Sequence, residues 1–217
     1  MIVAPLSPVV FVVDDDPSVR RALGRLLKSH GFGVELFATA QEFLERAEPH
    51  GPACAADGLA CAVLDVQMPG VGGLDVQQAL AVRNPCLPVI FITAHGDIPM
   101  TVRAMKAGAV DFLPKPFRDD DLLAAVREAV ARHVQARQTA AARAALRQRA
   151  DALSPRERQV MALVVSGMLN KEAGQRLGVC EKTVKAHRAR VMRKMQAASL
   201  AELVRMTEKI GLESRQS

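Results

Sequence analysis

Short apolar runs alternate with amphipathic stretches along the first 130 residues. "VVFVV" (9–13), "GVELF" (33–37), "LACAVLD" (59–65), "PVIFIT" (88–93) and "AVDFLP" (109–114) have the length and apolar content of strands. Several are apolar at nearly every position, as strands covered on both faces require. Between them, apolar residues return at helical spacing. Val19, Ala22, Leu23, Leu26 and Leu27 stripe one segment, and Gly31 ends it. "TAQE" (39–42) spells a capping box: Thr39 accepts from the third helical amide and Glu42 reaches back. "GLDVQQALAV", "DIPMTVRAMKAG" and "DDDLLAAVREAV" complete five strand–helix repeats. That alternation predicts an α/β fold, a doubly wound, five-stranded parallel sheet, over residues 8–130.

The pattern then changes. Between Phe117 and Ser154 there is neither Gly nor Pro, and "AARHVQARQTAAARAALRQRAD" is built from helix-compatible residues. A flexible connector would be rich in Gly and Ser. The last helix of the first domain is therefore expected to run on as a helical linker, 131–151. From 152 to 212 the chain reads as all-α, with four helices. Ser154, Pro155 and Glu157 form a complete helix start, and Gly167 a stop. "NKEAGQRLGV" is a short second helix ending at Gly178, with Gly174 inside it explained by a close helix approach. "EKTVKAHRARVMRKM" is the third, with Val184, Val191 and Met195 facing inward, and "SLAELVRMTEKIG" the fourth. Two short helices joined through a Gly, the second of them basic, describe a helix-turn-helix.

Charge sharpens this division. Up to Asp121 the chain carries 10 Lys and Arg against 15 Asp and Glu; from Leu122 onward the count is 19 against 8. An acidic first part and a strongly basic second part suggest that the second meets a polyanion. Trp and Tyr are absent and Phe numbers seven, so stacking on nucleic-acid bases is not the expected mode of contact. No apolar run approaches a membrane span, and "MIVAPLSPVV" has no basic region before its apolar part; a cytoplasmic protein is expected. Cys54, Cys61, Cys86 and Cys180 form no metal spacing and read as reduced thiols.

The candidate chemistry lies at strand ends. Asp14 and Asp15 follow strand 1, Asp65 ends strand 3, Thr93 ends strand 4 and Lys115 lies just beyond strand 5. Ligands of such sheets sit beyond the carboxyl ends of the strands, where strand order reverses. In a flavodoxin-like strand order, 2-1-3-4-5, strands 1 and 3 are neighbours, so Asp14, Asp15 and Asp65 would converge. Converging hard oxygen ligands suit Mg2+. Asp16 reads instead as the cap of the next helix. A phosphohydrolase of the haloacid dehalogenase type needs a second Asp two residues after its nucleophile, and Gln67 stands there.

"FVVDDDPSVRRAL", "AVLDVQMPGVGGLD", "VIFITAHGDIPM" and "AGAVDFLPKPF" resemble the receiver domain of bacterial two-component response regulators, of the FixJ-like group. "LSPRERQV", "NKEAGQRLGV" and "TVKAHRARVMRKM" resemble the LuxR/NarL-type DNA-binding domain. The resemblance implies that Asp65 accepts a phosphoryl group from a sensor histidine kinase. Asp14, Asp15, Asp65 and the backbone carbonyl of Gln67 then hold Mg2+, Thr93 and Lys115 hold phosphoryl oxygens, and Phe112 is the switch aromatic. A cis peptide between Lys115 and Pro116 is implied as well. Gln67 and His95, each two residues beyond a site group, are expected to tune the phosphoryl lifetime. Lys182, Thr183, Lys185, Ala186, Arg188 and Arg190 are the expected DNA contacts on the third helix. The implied partners are promoter DNA, RNA polymerase and a second copy of the chain when phosphorylated. Cys180 departs from the family at the cap of that helix, where Ser is usual; a thiol is a weaker acceptor and so a weaker cap. A constitutive DNA-binding protein with a degenerate receiver is the rival reading; Asp14, Asp15, Asp65, Thr93 and Lys115 are all present, which favours the switched one.

Overall fold

Five apolar runs become β1 (Val9–Val13), β2 (Gly33–Phe37), β3 (Ala60–Asp65), β4 (Val89–Thr93) and β5 (Asp111–Pro114) in a computed structural model that describes residues 7–47, 58–94 and 96–211. Met1–Leu6, Cys54, His95 and Leu212 lie outside the described residues. All strand pairs are parallel and the order is β2-β1-β3-β4-β5. Helices α1 (Pro17–Ser29), α2 (Ala40–Arg46), α3 (Gly73–Arg83), α4 (Ile98–Lys106) and α5 (Asp119–Asp151) alternate with the strands. The pleat sends successive side chains to opposite faces. Phe11, Val13, Leu64 and Phe91 pack with α2, α3 and α4, while Val10, Val12, Cys61, Val63 and Ile90 pack with α1 and α5. Every residue of β3 and β4 is buried, which explains runs that are apolar throughout rather than alternating. Burial pushes the Cys61 thiol up to about 12, so it stays protonated.

Two local expectations change. Thr39 Oγ1 accepts from the Glu42 amide at 3.2 Å, but the Glu42 carboxylate accepts from Ala38 N–H at 3.1 Å, one residue before the expected amide. β5 begins two residues late because Ala109 closes α4. Its N–H donates to the Ala104 carbonyl at 3.1 Å, in a turn where Gly108 has φ +92°.

The chain divides into two units, one up to Arg137 and one from Gln138, and α5 is a single helix of 33 residues containing that division. In the first unit, α5 bonds to the chain entering β3 beyond residue 130. Ala60 N–H donates to His133 Nδ1 at 2.9 Å, and one turn on Arg137 Nη1 donates to the Gly58 carbonyl at 2.7 Å. Burial, with the Arg137 charge nearby, holds the His133 imidazole below the usual histidine range. Its Nδ1 thus stays an acceptor.

The second unit contains α6 (Pro155–Val165), α7 (Asn170–Leu177), α8 (Glu181–Met195) and α9 (Leu200–Lys209). Leu146 and Ala150 of α5 pack with Met161, Val191, Met195, Leu203 and Ile210. Val160, Val164, Ala173 and Val184 form a second small core between α6, α7 and α8. A Cβ on Gly174 would stand 2.8 Å from the Val179 carbonyl oxygen. The close neighbour that requires glycine is therefore the backbone of the turn after α7, where the sequence suggested a second helix.

Ser154 and Glu157 form the expected capping box: Ser154 Oγ accepts from Glu157 N–H at 3.3 Å and the Glu157 carboxylate from Ser154 N–H at 2.8 Å. Glu157 also meets Lys194 Nζ of α8 at 2.7 Å. The Lys194 ammonium and the Ser154 amide hold the Glu157 carboxyl down to about 2. The folded value lies below the ordinary 4.5, so this stabilisation is full above about pH 4.5 and is lost as pH falls toward 2. Glu157→Gln is expected to cost about 1–2 kcal/mol at neutral pH. Scanning calorimetry at pH 7 and pH 3 checks this, and the cost should shrink by more than half at the lower pH.

Candidate functional site: an acidic cluster and a basic helix

At the carboxyl edge of the sheet, β1 and β3 lie side by side and deliver their terminal carboxylates to one place. Asp14, Asp15 and Asp65 can each offer an oxygen within 4.8 Å of the others. Asp14 and Asp65 are buried and Asp15 is exposed. Lys115 Nζ bridges the two buried carboxylates, at 2.7 Å from Asp14 Oδ2 and 2.8 Å from Asp65 Oδ2. The Lys115–Pro116 bond is cis. Burial raises the Asp14 carboxyl above its usual range against the opposing pull of Lys115. Burial works against the Lys115 charge too, but the two carboxylates prevail and hold it above its usual range.

The backbone around the cluster is tied to it. Asp16 N–H donates to Asp14 Oδ1 at 2.9 Å and Gln67 N–H to Asp65 Oδ1 at 3.1 Å. The Arg20 guanidinium donates to the Asp14 carbonyl. Asp16 itself caps α1, accepting from Ser18 N–H at 2.7 Å; that bond lowers its carboxyl. Thr93 is fully buried at the end of β4, and Lys115 N–H donates to its carbonyl at 2.6 Å. Phe112, half-buried on β5, has its ring centroid 6.2 Å from that of Phe91. Gln67 is exposed at the rim. His95 lies outside the described residues, so its expected tuning role has no geometry here.

Three carboxylates around one ammonium leave an excess of negative charge. The six oxygens around Mg2+ lie at about 2.1 Å from it, hence roughly 3–4 Å from each other. Asp14, Asp15 and Asp65, with oxygens within 4.8 Å of one another, form an acidic triad of the kind that holds such an ion. The residues converge as the sequence indicated, and Asp16 stays outside as a cap.

In the second unit, α7 ends at Gly178 in a left-handed conformation and α8 begins after Cys180. Lys182, Lys185, Ala186 and Arg190 are exposed on α8, while Thr183 and Arg188 are half-buried. Lys182, Ala186, Ala189 and Arg193 follow one another along the centre of the exposed face, with Lys185 and Arg190 beside them. Arg193 is a basic residue of that face that the sequence reading passed over; its spacing from Lys182 was the available signal. Lys185 pairs with Glu181 at 2.9 Å, and Arg188 Nη1 lies 3.3 Å from Asn170 Oδ1, the first residue of α7. Arg188 therefore joins the two helices from the flank of the basic face. Cys180 is the cap residue, but its side chain bonds no helical amide. Its thiol lies 3.2 Å from Thr183 Oγ1, a contact that lowers it from the usual thiol range.

Residues 10–127 match the family model described as response regulator receiver domain, and residues 151–207 that of bacterial regulatory proteins, luxR family. The chain belongs to the DNA-binding response regulators of two-component systems, with a receiver and a LuxR-type helix-turn-helix domain. It is 50% identical to nodulation protein W of Bradyrhizobium diazoefficiens over 209 residues, 96% of this chain and 89% of that protein. The transcriptional regulatory protein FixJ of the same organism is 42% identical over 205 residues, 94% of this chain and 96% of its own. Among solved structures, response regulator StyR matches with a TM-score of 0.75 and 46% identity, covering 94% of this chain and 99% of that one.

Proposed function

We propose that Asp65 is the phosphoryl acceptor of a cytoplasmic, Mg2+-dependent switch, loaded by a sensor histidine kinase, that promotes dimerisation and thereby controls transcription. The observation that carries this is the Lys115 ammonium bridging Asp14 and Asp65 at 2.7 and 2.8 Å. Asp65 Oδ attacks the phosphorus of a phosphohistidine and the imidazole leaves. Two negative groups must approach each other for this, and Lys115 offsets part of that charge. Mg2+, held by Asp14, Asp15, Asp65 and the Gln67 carbonyl, supplies the remaining positive charge. Thr93 donates its hydroxyl to a phosphoryl oxygen, an interaction available only once Asp65 is modified, and so biases the loop that follows it. Phe112 answers that movement beside α4, on which Ile98, Val102 and Met105 are exposed apolar residues for self-association.

Residues 8–130 supply the phosphoacceptor domain, 131–151 a helical linker whose first turns, to Arg137, stay bonded to that domain, and 152–212 the DNA reader. Lys182, Thr183, Lys185, Ala186, Arg188 and Arg190 supply the contacts to the groove and its phosphates, and RNA polymerase is the downstream partner. Among the described residues, no helix is long and apolar enough to cross a membrane.

Sedimentation velocity with and without beryllofluoride and Mg2+ tests this. The expected result is a shift from monomer to dimer when both are present. An unchanged distribution would favour the constitutive DNA-binding reading. Gln67 and His95 are expected to set the phosphoryl lifetime. Exchanging both for Ala should change the dephosphorylation rate, and an unchanged rate removes them from that role.

A further inference from the structure

Gly96 follows Thr93 by three residues and immediately precedes Asp97, the cap of α4. It is exposed, yet the side that would carry a Cβ faces inward. A Cβ there would stand 2.8 Å from Phe112 Cε1, 3.3 Å from Phe112 Cζ and 3.0 Å from Thr93 Cγ2. Carbon atoms in contact sit about 3.5–4.0 Å apart. Glycine is needed there for space. The edge of the Phe112 ring thus rests on the backbone of residue 96, at a point bordered by the Thr93 methyl, with the Phe91 ring as its other aromatic neighbour.

We propose that Gly96 is a positioning residue of the switch: the space left by its missing side chain seats the Phe112 ring and couples that ring to the Thr93 loop. The proposal rests on the phosphorylation reading above and specifies how its signal leaves the site. Thr93, Gly96 and Phe112 meet at one point. When Thr93 is drawn toward a phosphoryl group on Asp65, its methyl withdraws and the ring closes on the loop. The neighbouring Asp97 accepts Met100 N–H on its carboxylate at 2.6 Å and Thr101 N–H on its carbonyl at 3.0 Å. A shift of the loop therefore passes directly into the first turn of α4. A methyl group at residue 96 fills the seat. The end of the ring can yield and the backbone cannot, so the ring is expelled and the loop moves without it.

Gly96→Ala tests this, with circular dichroism to confirm that the variant is folded. Asp65 in the variant should still take up a phosphoryl group from phosphoramidate and Mg2+, read by intact-protein mass spectrometry. Its self-association with beryllofluoride, read by sedimentation velocity, should weaken by about tenfold or more. The same change in a Phe112→Ala background should alter association by less than about twofold, because the ring it displaces is gone. Association of Gly96→Ala equal to that of the parent protein overturns the seat. So does an equal loss in both backgrounds, which would mean a stiffened loop, and so does an Asp65 that no longer accepts phosphoryl in the variant. A parent protein that stays monomeric with beryllofluoride overturns the dimerisation reading itself and the seat with it.

Discussion

Asp65→Asn protein, mixed with a phosphohistidine donor and Mg2+, is expected to take up no label, while the parent protein should be labelled. The substitution keeps the shape of the side chain and removes the nucleophilic carboxylate. Lys115 is left with Asp14 as its one carboxylate partner, and the acidic triad typical of a Mg2+ site loses one of its three charges. Lys115→Met should act differently. The nucleophile remains, but the carboxylates of Asp14 and Asp65, within 4.8 Å of each other, then face each other without the ammonium, and such a pair repels by roughly 3–4 kcal/mol near a protein surface. Transfer should slow by about 10²–10³, the usual cost of removing one preorganised charge partner. The two variants separate the accepting group from the group that neutralises charge. Equal labelling of Asp65→Asn and the parent would transfer the acceptor role to another residue.

DNA binding by the phosphorylated protein should be strongly salt-dependent. A dimer places two recognition helices at half-sites about 34 Å apart, one turn of the duplex. If Lys182, Lys185 and Arg188 of each protomer meet phosphates, six contacts give log K a slope of about −5 against log salt. Lys182 is exposed and appears in no ion pair among the described residues, so its removal is the cleanest test. Lys182→Ala removes one contact per protomer and should reduce the slope by about 2. Lys185 must first leave Glu181 and Arg188 is tied to Asn170, so their contributions should be smaller. A footprint titration across salt, with phosphorylated and unphosphorylated protein, measures both slope and control. Equal affinities and equal oligomeric states in the two forms would show that Asp65 does not govern DNA binding.

Much of this was readable along the chain because the relevant physics is local. A strand buried on both faces must be apolar throughout, so β1, β3 and β4 announce themselves, and the polar residue that ends each run marks the edge of the sheet. Asp14, Asp65 and Thr93 are legible for that reason. Helix starts were legible where side chain and backbone lie within one turn, as at Ser154 and Glu157. What escaped depends on contacts that no periodicity encodes, most of them between residues distant in sequence. Gly174 is explained by a carbonyl five residues away that no periodicity reveals. Gly96 is explained by a ring on β5. The partners of Arg188 and Lys194 lie 18 and 37 residues back. His133, a single imidazole in a run of Ala and Arg, finds its partner 73 residues earlier.

The bonds from Ala60 to His133 and from Arg137 to Gly58 decide where this protein can be cut. A receiver fragment ended at Val130 would strip an acceptor from the buried amide that opens the central strand and a donor from the carbonyl two residues before it. One ended beyond Arg137 keeps both. Splicing this receiver onto a foreign DNA reader, by recombination or at the bench, therefore has a natural junction in the exposed Ala-rich turns after Arg137. Seven residues that a motif-based border would hand to the new partner have to travel with the old one.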